Sequence, residues 1–237
     1  GIGYSAGNVL TTGIENTIIG GLAGDALTDA DFNTAVGQGA LSTDTLGSKS
    51  TAIGQNALAL QNFTTATDSF NTAVGFRAGL SVTTGAFNTL VGGLAGDGLT
   101  TGPNNVAVGY NSLGSATTAD NNVAIGSDAQ FSNTVGDKNV AVGRSALLNF
   151  NPATDSDTYN TAVGHEAGKA VTTGVNNTLI GALAGDALTD ADQNVAVGVN
   201  ALASDTLGSK SVAIGEGSLL FQNFTTATDA YNTAVGF

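Results

Sequence analysis

The chain has 237 residues, enough for one large domain or two small ones. Its net charge of −13 includes only six Lys and Arg residues, a balance that argues against nucleic-acid partners, and no apolar run is long enough for membrane insertion. The absence of Cys excludes disulfides and thiolate metal sites, while 34 Gly and 6% aromatic residues predict a core of small and β-branched side chains.

A five-residue phrase, typified by NTAVG at 33–37, recurs along the whole chain. With its opening Asn or Ser taken as position 1, the copies begin at Asn16, Asn33, Ser50, Asn71, Asn88, Asn105, Asn122, Asn139, Asn160, Asn177, Asn194, Ser211 and Asn232. Nine of the steps between copies are 17 residues long and three are 21. Position 2 is Thr or Val, position 3 is mostly Ala, position 4 is Val or Ile, and position 5 is always Gly. This pattern predicts a very short strand that ends at a corner.

The rest of each repeat is also regular. Position 8 is Ala or Ser in every complete copy, and position 15 is mostly Gly or Ala. We interpret position 8 as part of a second strand with a small inward residue, and position 15 as the turn back to the next strand. Because Gly, Thr and Asn are poor helix formers, a helix is unfavourable. The sequence therefore predicts an all-β fold, a parallel β-solenoid of about 14 coils with 17- and 21-residue repeats.

Side-chain alternation along the short strand predicts which residues face inward. We expect positions 2 and 4 to face the interior of the roll and the Asn at position 1 to form a ladder of stacked amides. The Ala residues at position 3 would then form an exposed stripe, interrupted by Ile18, Leu90 and Leu179. Such a stripe favours packing against identical chains, so we expect an oligomer.

The chain also has a longer repeat, which contains several of the 17- and 21-residue repeats. Residues 1–76 align without a gap with residues 162–237, an offset of 161 residues, and 51 of the 76 pairs are identical. This indicates duplication of a block of several coils. We therefore expect residues 1–237 to form a single solenoid repeat domain that is an excerpt of a longer repetitive fibre.

The segments NTAVGFRAGLSVTTG at 71–85 and NTAVGHEAGKAVTTG at 160–174 resemble known repeats. They are similar to the head repeats of YadA-like trimeric autotransporter adhesins and to the NTAVGxxAL repeats of phage and bacterial tail-fibre-like proteins. The resemblance extends over the whole chain, although the 17-residue repeat is longer than that of the adhesin heads. It implies a left-handed β-roll, a side-by-side homotrimer and a role in a surface fibre.

The three 21-residue repeats share an insert that predicts projecting loops. Each insert has an early aromatic residue and a second aromatic just before the phrase: Phe63 and Phe70, Phe150 and Tyr159, Phe224 and Tyr231. One interpretation is a receptor-contact surface for a host glycan or protein, formed by Phe63, Thr64, Thr65, Phe150, Asn151, Phe224, Thr225 and Thr226. The alternative is that the aromatic rings tuck under each loop and fix it to the roll.

Candidate metal and catalytic residues are few. Asp25, Asp29 and Asp31 form an acidic cluster that recurs as Asp186, Asp190 and Asp192. Oxygen ligands of this kind suit Ca²⁺, but the spacing does not fit a known calcium loop and Asp is common in turns. His165 is the only histidine, and we interpret it as a solvated surface residue paired with Glu166. No arrangement of catalytic side chains is evident, so we predict neither an enzyme nor a cofactor.

These observations lead to one functional hypothesis and two alternatives. The first is a structural shaft or adhesive segment of an extracellular trimeric fibre, on a virion or a cell surface, such as a phage tail fibre or a bacterial adhesin. A polymerising extracellular filament subunit is the second. The third is an ice-binding solenoid, although the turns do not present a regular Thr-x-Thr ladder: Thr83–Thr84 is replaced by other pairs elsewhere.

Overall fold

The computed structural model describes all residues from Gly1 to Phe237, and its regular structure consists of strands alone. The chain forms two compact units, Gly1–Thr118 and Ala119–Phe237. Each unit is a stack of coils in which successive copies of the phrase lie beside one another. No helix in the structure has the length and apolar character needed to cross a membrane.

The first unit contains eight strands. Six three-residue strands come from the phrase: β1 (Thr17–Ile19), β2 (Thr34–Val36), β4 (Thr51–Ile53), β6 (Thr72–Val74), β7 (Thr89–Val91) and β8 (Val106–Val108). Two shorter strands, β3 (Gly47–Ser48) and β5 (Thr67–Asp68), pair with each other where the first 21-residue repeat begins and ends. Ile2 adds a single parallel bridge to Ile19.

The second unit repeats this arrangement with seven phrase strands: β9 (Val123–Ile125), β11 (Val140–Val142), β13 (Thr161–Val163), β14 (Thr178–Ile180), β15 (Val195–Val197), β17 (Val212–Ile214) and β19 (Thr233–Val235). Its two-residue strands form two pairs, β10 (Gly136–Asp137) with β12 (Ser156–Asp157) and β16 (Gly208–Ser209) with β18 (Thr228–Asp229). With the six coils of the first unit, the parallel β-solenoid has about thirteen turns rather than the expected 14.

Neighbouring phrase strands within each unit are parallel and in register. Ala35 lies opposite Ala52, and Val36 lies opposite Ile53, so equivalent positions of successive coils stack at the parallel-strand spacing of about 4.8 Å. The predicted parallel solenoid is therefore confirmed. The second strand that we expected around position 8 is absent, because that segment forms a turn in every coil, as at 21–26. Position 15 is part of a strand only beside the long coils, at Gly47, Gly136 and Gly208.

The expected orientation of the phrase strand is wrong. Position 3, not positions 2 and 4, faces the interior: Ala35, Ala52 and Ala73 are fully buried, and so are the larger Leu90 and Leu179. Val and Ile at position 4 lie on the outside, where Ile53 keeps 39% of its surface exposed. The exposed Ala stripe does not exist, and any outer contact surface is formed by β-branched residues instead.

The buried Asn at position 1 explains this orientation. Asn33 is 1% exposed, its Nδ2 donates to the Gly47 carbonyl at 2.9 Å, and its Oδ1 accepts from the Ser50 backbone N at 2.8 Å. The side chain thus joins both ends of its own coil and holds the next coil. Since positions 1 and 3 lie on the same side of a strand, an inward Asn places position 3 inside as well.

The predicted asparagine ladder is confirmed, with backbone groups as its main partners. Direct amide-to-amide bonds join some neighbouring coils, such as Asn139 Nδ2 to Asn122 Oδ1 at 3.1 Å and Asn177 Nδ2 to Asn160 Oδ1 at 3.2 Å. In these coils too, Oδ1 accepts the backbone N–H of the next Asn, at 2.9 and 3.0 Å. The ladder therefore satisfies buried backbone groups that water cannot reach.

Glycine at position 5 is required where adjacent coils make their closest backbone approach. Gly75 has a φ of +143°, and a Cβ on it would lie 2.3 Å from the carbonyl oxygen of Gly92 in the next coil. Any side chain here would disrupt both the corner and the coil spacing.

The side chains at positions 3 and 9 together fill the narrow interior, and a large residue at one position goes with a small residue at the other. Six coils combine Ala at position 3 with Leu at position 9: Leu41, Leu58, Leu113, Leu147, Leu202 and Leu219. Where position 3 is the larger Leu90, position 9 is Gly96, and a Cβ on Gly96 would lie 2.8 Å from Leu90 Cδ2. Leu179 and Gly185 form the same pair, with the corresponding distance also 2.8 Å. In the two coils with Gly79 and Gly168 at position 9 and Ala at position 3, the Leu of the next coil fills the space, since a Cβ on either Gly would lie 2.7 Å from Leu90 Cδ1 or Leu179 Cδ1. The two positions therefore share one volume, both within a coil and between neighbouring coils.

We expect this shared volume to appear as strong coupling between Leu90 and Gly96. Leu90→Ala alone should cost about 2–5 kcal/mol of unfolding free energy because it opens a cavity. Gly96→Leu alone should cost about 1–3 kcal/mol because it overpacks the interior. The double variant, measured by denaturant unfolding, should lose at least about 1 kcal/mol less than the sum.

Gly93→Leu combined with Leu90→Ala is the matched control. A Cβ on Gly93 would meet only Tyr110 Cδ2, at 3.7 Å, so the effects of these two changes should add. Additive losses for Leu90→Ala with Gly96→Leu would contradict the shared-volume interpretation.

Candidate interaction surface

Each unit has an outer face formed by positions 2 and 4 of its phrase strands, here called the β-branched face. In the first unit this face consists of two columns: Thr17, Thr34, Thr51, Thr72, Thr89 and Val106 at position 2, and Ile19, Val36, Ile53, Val74, Val91 and Val108 at position 4. All of these side chains are partly or largely exposed. Since the strands are in register, the columns form a regular surface of Thr, Val and Ile.

The β-branched face of the second unit has the same construction. Its columns are Val123, Val140, Thr161, Thr178, Val195, Val212 and Thr233 at position 2, and Ile125, Val142, Val163, Ile180, Val197, Ile214 and Val235 at position 4. Ile180 and Ile214 remain 38% and 39% exposed. Ordered, partly apolar faces of this kind favour contact with other molecules.

The long-coil loops place their early aromatic residues inside. Phe63 is buried and Phe150 is fully buried, whereas Phe224 is half-buried. The rings of Phe63 and Phe150 are thus not available to a receptor in this structure and instead fix the loops to the roll. The polar residues of the predicted contact loops are exposed at the loop surface: Thr64, Thr65, Asn151, Thr225 and Thr226.

A buried carboxylate, which sequence reasoning missed, holds the start of the loop in place. Asp44 is fully buried, and its Oδ1 accepts from the backbone N of Gly47 and of Phe63, both at 3.0 Å. Gln61 Nε2 donates to its Oδ2 at 2.5 Å, and Gln61 Oε1 accepts from Asn71 Nδ2 at 2.8 Å. Asp205 repeats these contacts with Gly208, Gln222 and Phe224. The signal in the sequence was a polar residue at position 12, where the coils without an adjoining insert have apolar residues.

A cation–carboxylate–aromatic group closes the other end of each loop. Lys49 Nζ lies 2.5 Å from Asp68 Oδ2 and 5.1 Å from the centre of the Phe70 ring, and the Phe87 ring stacks on Phe70 at 5.8 Å. The same group recurs as Lys138, Asp157 and Tyr159, and as Lys210, Asp229 and Tyr231. Such exposed contacts contribute little individually because solvent screens them, so they orient the loop rather than hold the fold.

Two aspartates of each acidic cluster accept hydrogen bonds that join adjacent coils. Asp29 Oδ1 accepts from the Thr12 hydroxyl, and Asp31 Oδ1 accepts from the backbone N of Ile14 at 2.8 Å. Asp190 and Asp192 make the equivalent bonds in the second unit. No group of three or more His, Cys, Asp or Glu side chains in the structure lies close enough together to hold a metal ion.

His165 lies on the surface, as expected, but in a larger charged group. Its ring is half exposed, and its Nε2 accepts from Arg144 Nη1 at 3.0 Å. The same nitrogen lies 3.8 Å from Glu166 Oε1. Lys169 Nζ donates to Glu166 Oε2 at 3.1 Å, and this bond is the main reason that the pKa of Glu166 is lowered. The group links adjacent coils of the second unit and contains no activated nucleophile.

One buried carboxylate is electrostatically unfavourable when charged. Burial, together with the nearby carboxylates of Asp120 and Asp155, raises the pKa of Asp137 to about 6, despite the lowering effect of the hydrogen bond from the Asp120 backbone N. That bond is 2.7 Å long. Ser48 and Ser209 occupy the equivalent position in the coils that precede the other two long coils, and they accept the same bond at 2.9 Å without adding charge.

We expect Asp137→Ser to stabilise the protein at neutral pH. Because the folded-state pKa is above the unfolded value, the stability contributed by protonated Asp137 is present below about pH 4 and is lost as the pH rises to about 6. The variant should not show this loss. The difference in melting temperature between the two proteins should therefore grow as the pH rises from about 4 to about 6. Equal melting curves at neutral pH, or a lower melting temperature for the variant, would contradict this account.

Comparison with models of known protein families gave no match, and comparison with curated protein sequences gave no significant match. The geometry of the β-branched faces and of the long-coil loops is therefore the basis for assigning a function.

Proposed function

We propose that this chain is a structural shaft or adhesive segment of an extracellular trimeric fibre, such as a phage tail fibre or a bacterial surface adhesin. The β-branched face is the observation that carries this proposal. It presents Thr, Val and Ile in register over six strands of the first unit and seven of the second. Side-by-side packing of three chains would cover this face and remove the apolar surface from water.

The solenoid construction suits a mechanical role. Within each unit, the strands satisfy their backbone hydrogen bonds through neighbouring coils, and the interior is closely packed with Ala and Leu. A stack of this kind resists local opening and proteolysis because each coil is held by the next. The acidic surface keeps such a fibre soluble and disfavours contact with nucleic acids.

We expect light scattering to give three times the mass of the chain. Ile53→Lys should reduce this to the mass of one chain, since each trimer would then bury three unpaired charges at a cost of several kcal/mol each. The monomer should remain folded because Ile53 is 39% exposed within its own chain.

Thr65→Lys provides the matched control for this test, since Thr65 is exposed in the loop and lies outside the β-branched face. It should leave the mass unchanged, and circular dichroism should show β-structure in both variants. A wild-type protein that is monomeric at every concentration would refute the trimer, while open-ended assembly would favour the alternative of a polymerising filament.

Ice binding is the second candidate, and the outward orientation of position 2 favours it. Five successive coils of the first unit present an outward Thr beside an outward Val or Ile at a spacing of about 4.8 Å. This regular array is on the phrase strand and not in the turns, where a Thr-x-Thr ladder was expected.

The two functions use the same face, which cannot be covered by other chains and bind ice at the same time. A freezing-point assay therefore distinguishes them. Under the fibre proposal, the face is covered by other chains and the wild-type protein causes no thermal hysteresis. A monomeric wild-type protein whose hysteresis is lost in Ile53→Lys but kept in Thr65→Lys would instead establish ice binding.

A further inference from the structure

Two long-coil loops contain the triplet Asn-x-Thr, the acceptor pattern for asparagine-linked glycosylation. One is Asn62-Phe63-Thr64, and the other is its counterpart in the second unit, Asn223-Phe224-Thr225. The loop of the remaining long coil has the same Asn-Phe pair but no hydroxyl residue two positions later, since it reads Asn149-Phe150-Asn151. The long-coil loops thus contain two candidate acceptors, and Asn149, an exposed Asn followed by Phe but by no hydroxyl residue, serves as a control.

The loop geometry presents the first triplet to solvent. Phe63 is buried, whereas Asn62 is half-buried and Thr64 is exposed. Asn62 Oδ1 accepts from the Thr45 hydroxyl at 3.2 Å, which directs the amide while its Nδ2 makes no hydrogen bond. Thr64 is exposed, and its hydroxyl is likewise unbonded. These two groups are the ones that a transferase must reach.

The second triplet makes the same hydrogen bond as the first, and its asparagine is more exposed than Asn62. Asn223 is exposed, and its Oδ1 accepts from the Thr206 hydroxyl at 3.2 Å. Its Nδ2 is also without a hydrogen bond, and Thr225 is exposed. Both long coils whose loop contains Gln-Asn-Phe-Thr therefore have this arrangement.

The ladder asparagines are excluded as acceptors by the fold itself. From Asn33 to Asn194 they are buried, and two residues after every ladder asparagine, including Asn16 and Asn232, lies position 3, which is Ala, Ile or Leu and never Ser or Thr. A further triplet, Asn176-Asn177-Thr178, has its Thr in β14 on the β-branched face, which the proposed assembly covers. The two loop asparagines are the acceptors that stay accessible in both a single chain and an assembly.

We propose that Asn62 and Asn223 are sites of asparagine-linked glycosylation. The co-reactant is a sugar activated through a diphosphate at its anomeric carbon. Nδ2 forms a bond to that carbon, the bond from the carbon to the diphosphate oxygen breaks, and the diphosphate leaves with the electron pair. One Nδ2 proton passes to a base of the transferase. The attached sugar would add a solvated, bulky group to the loop.

The test uses the purified, folded full chain with two donors in separate reactions. One contains a soluble asparagine glucosyltransferase and uridine diphosphate glucose, and the other contains a membrane oligosaccharyltransferase and a lipid-diphosphate oligosaccharide. Peptide mass analysis should find sugar on Asn62 and Asn223 and none on Asn149. The reaction that succeeds identifies the donor class.

Thr64→Ala and Thr225→Ala are the decisive variants because each keeps its asparagine and removes an exposed, unbonded hydroxyl. Each should abolish modification at its own loop, by at least about tenfold, and leave the other loop unchanged. The proposal is overturned if neither donor modifies the loops while a short Asn-x-Thr peptide in the same tube is modified. It is equally overturned if modification requires prior unfolding or occurs to the same extent on Asn149. None of these results depends on whether the chain is a trimer.

Discussion

The structure depends on the burial of one polar side chain, the asparagine that opens all repeats except those that begin at Ser50 and Ser211. Its amide joins the two ends of its own coil through the carbonyl at position 15, and it holds the backbone of the next coil. A buried amide is stable only when its donors and acceptors are paired. Pairing therefore fixes the coil length, the stacking register and the inward side of the phrase strand at once.

That orientation leaves a narrow interior and places the β-branched side chains on the outer face of the strands. Only Ala fits opposite the inward Leu of position 9, and a larger residue such as Leu90 is accommodated by Gly96. The β-branched residues that favour the strand conformation are consequently on the outside, where their own chain cannot bury them. The same constraint that closes the coil thus produces a surface that favours contact with other molecules, and this links the fold to the proposed assembly.

The three 21-residue repeats are the places where the regular pattern is broken and other contacts replace it. A buried polar residue such as Asp44 ties the beginning of the insert to the preceding coil, and an inward aromatic ring such as Phe63 fills the space beneath it. A lysine, a carboxylate and an outer aromatic ring orient the end of the insert. These contacts leave polar loop residues such as Thr64 and Thr65 exposed, where modification or recognition is easily accommodated.

The sequence by itself determined the architecture. Fixed spacing, invariant Gly at position 5 and β-branched residues beside it predict parallel, stacked coils, and the ladder of asparagines follows from their regular recurrence. It did not determine which face of the strand is inside, because a three-residue strand has too few alternations to fix its phase and Val, Thr and Ala are compatible with either side. The tertiary structure decided this through the partners of Asn33 and through the volume shared by Leu90 and Gly96. It also brought Lys49 beside Asp68 and Phe70 across neighbouring coils, a contact between residues far apart in the chain that no local pattern could reveal.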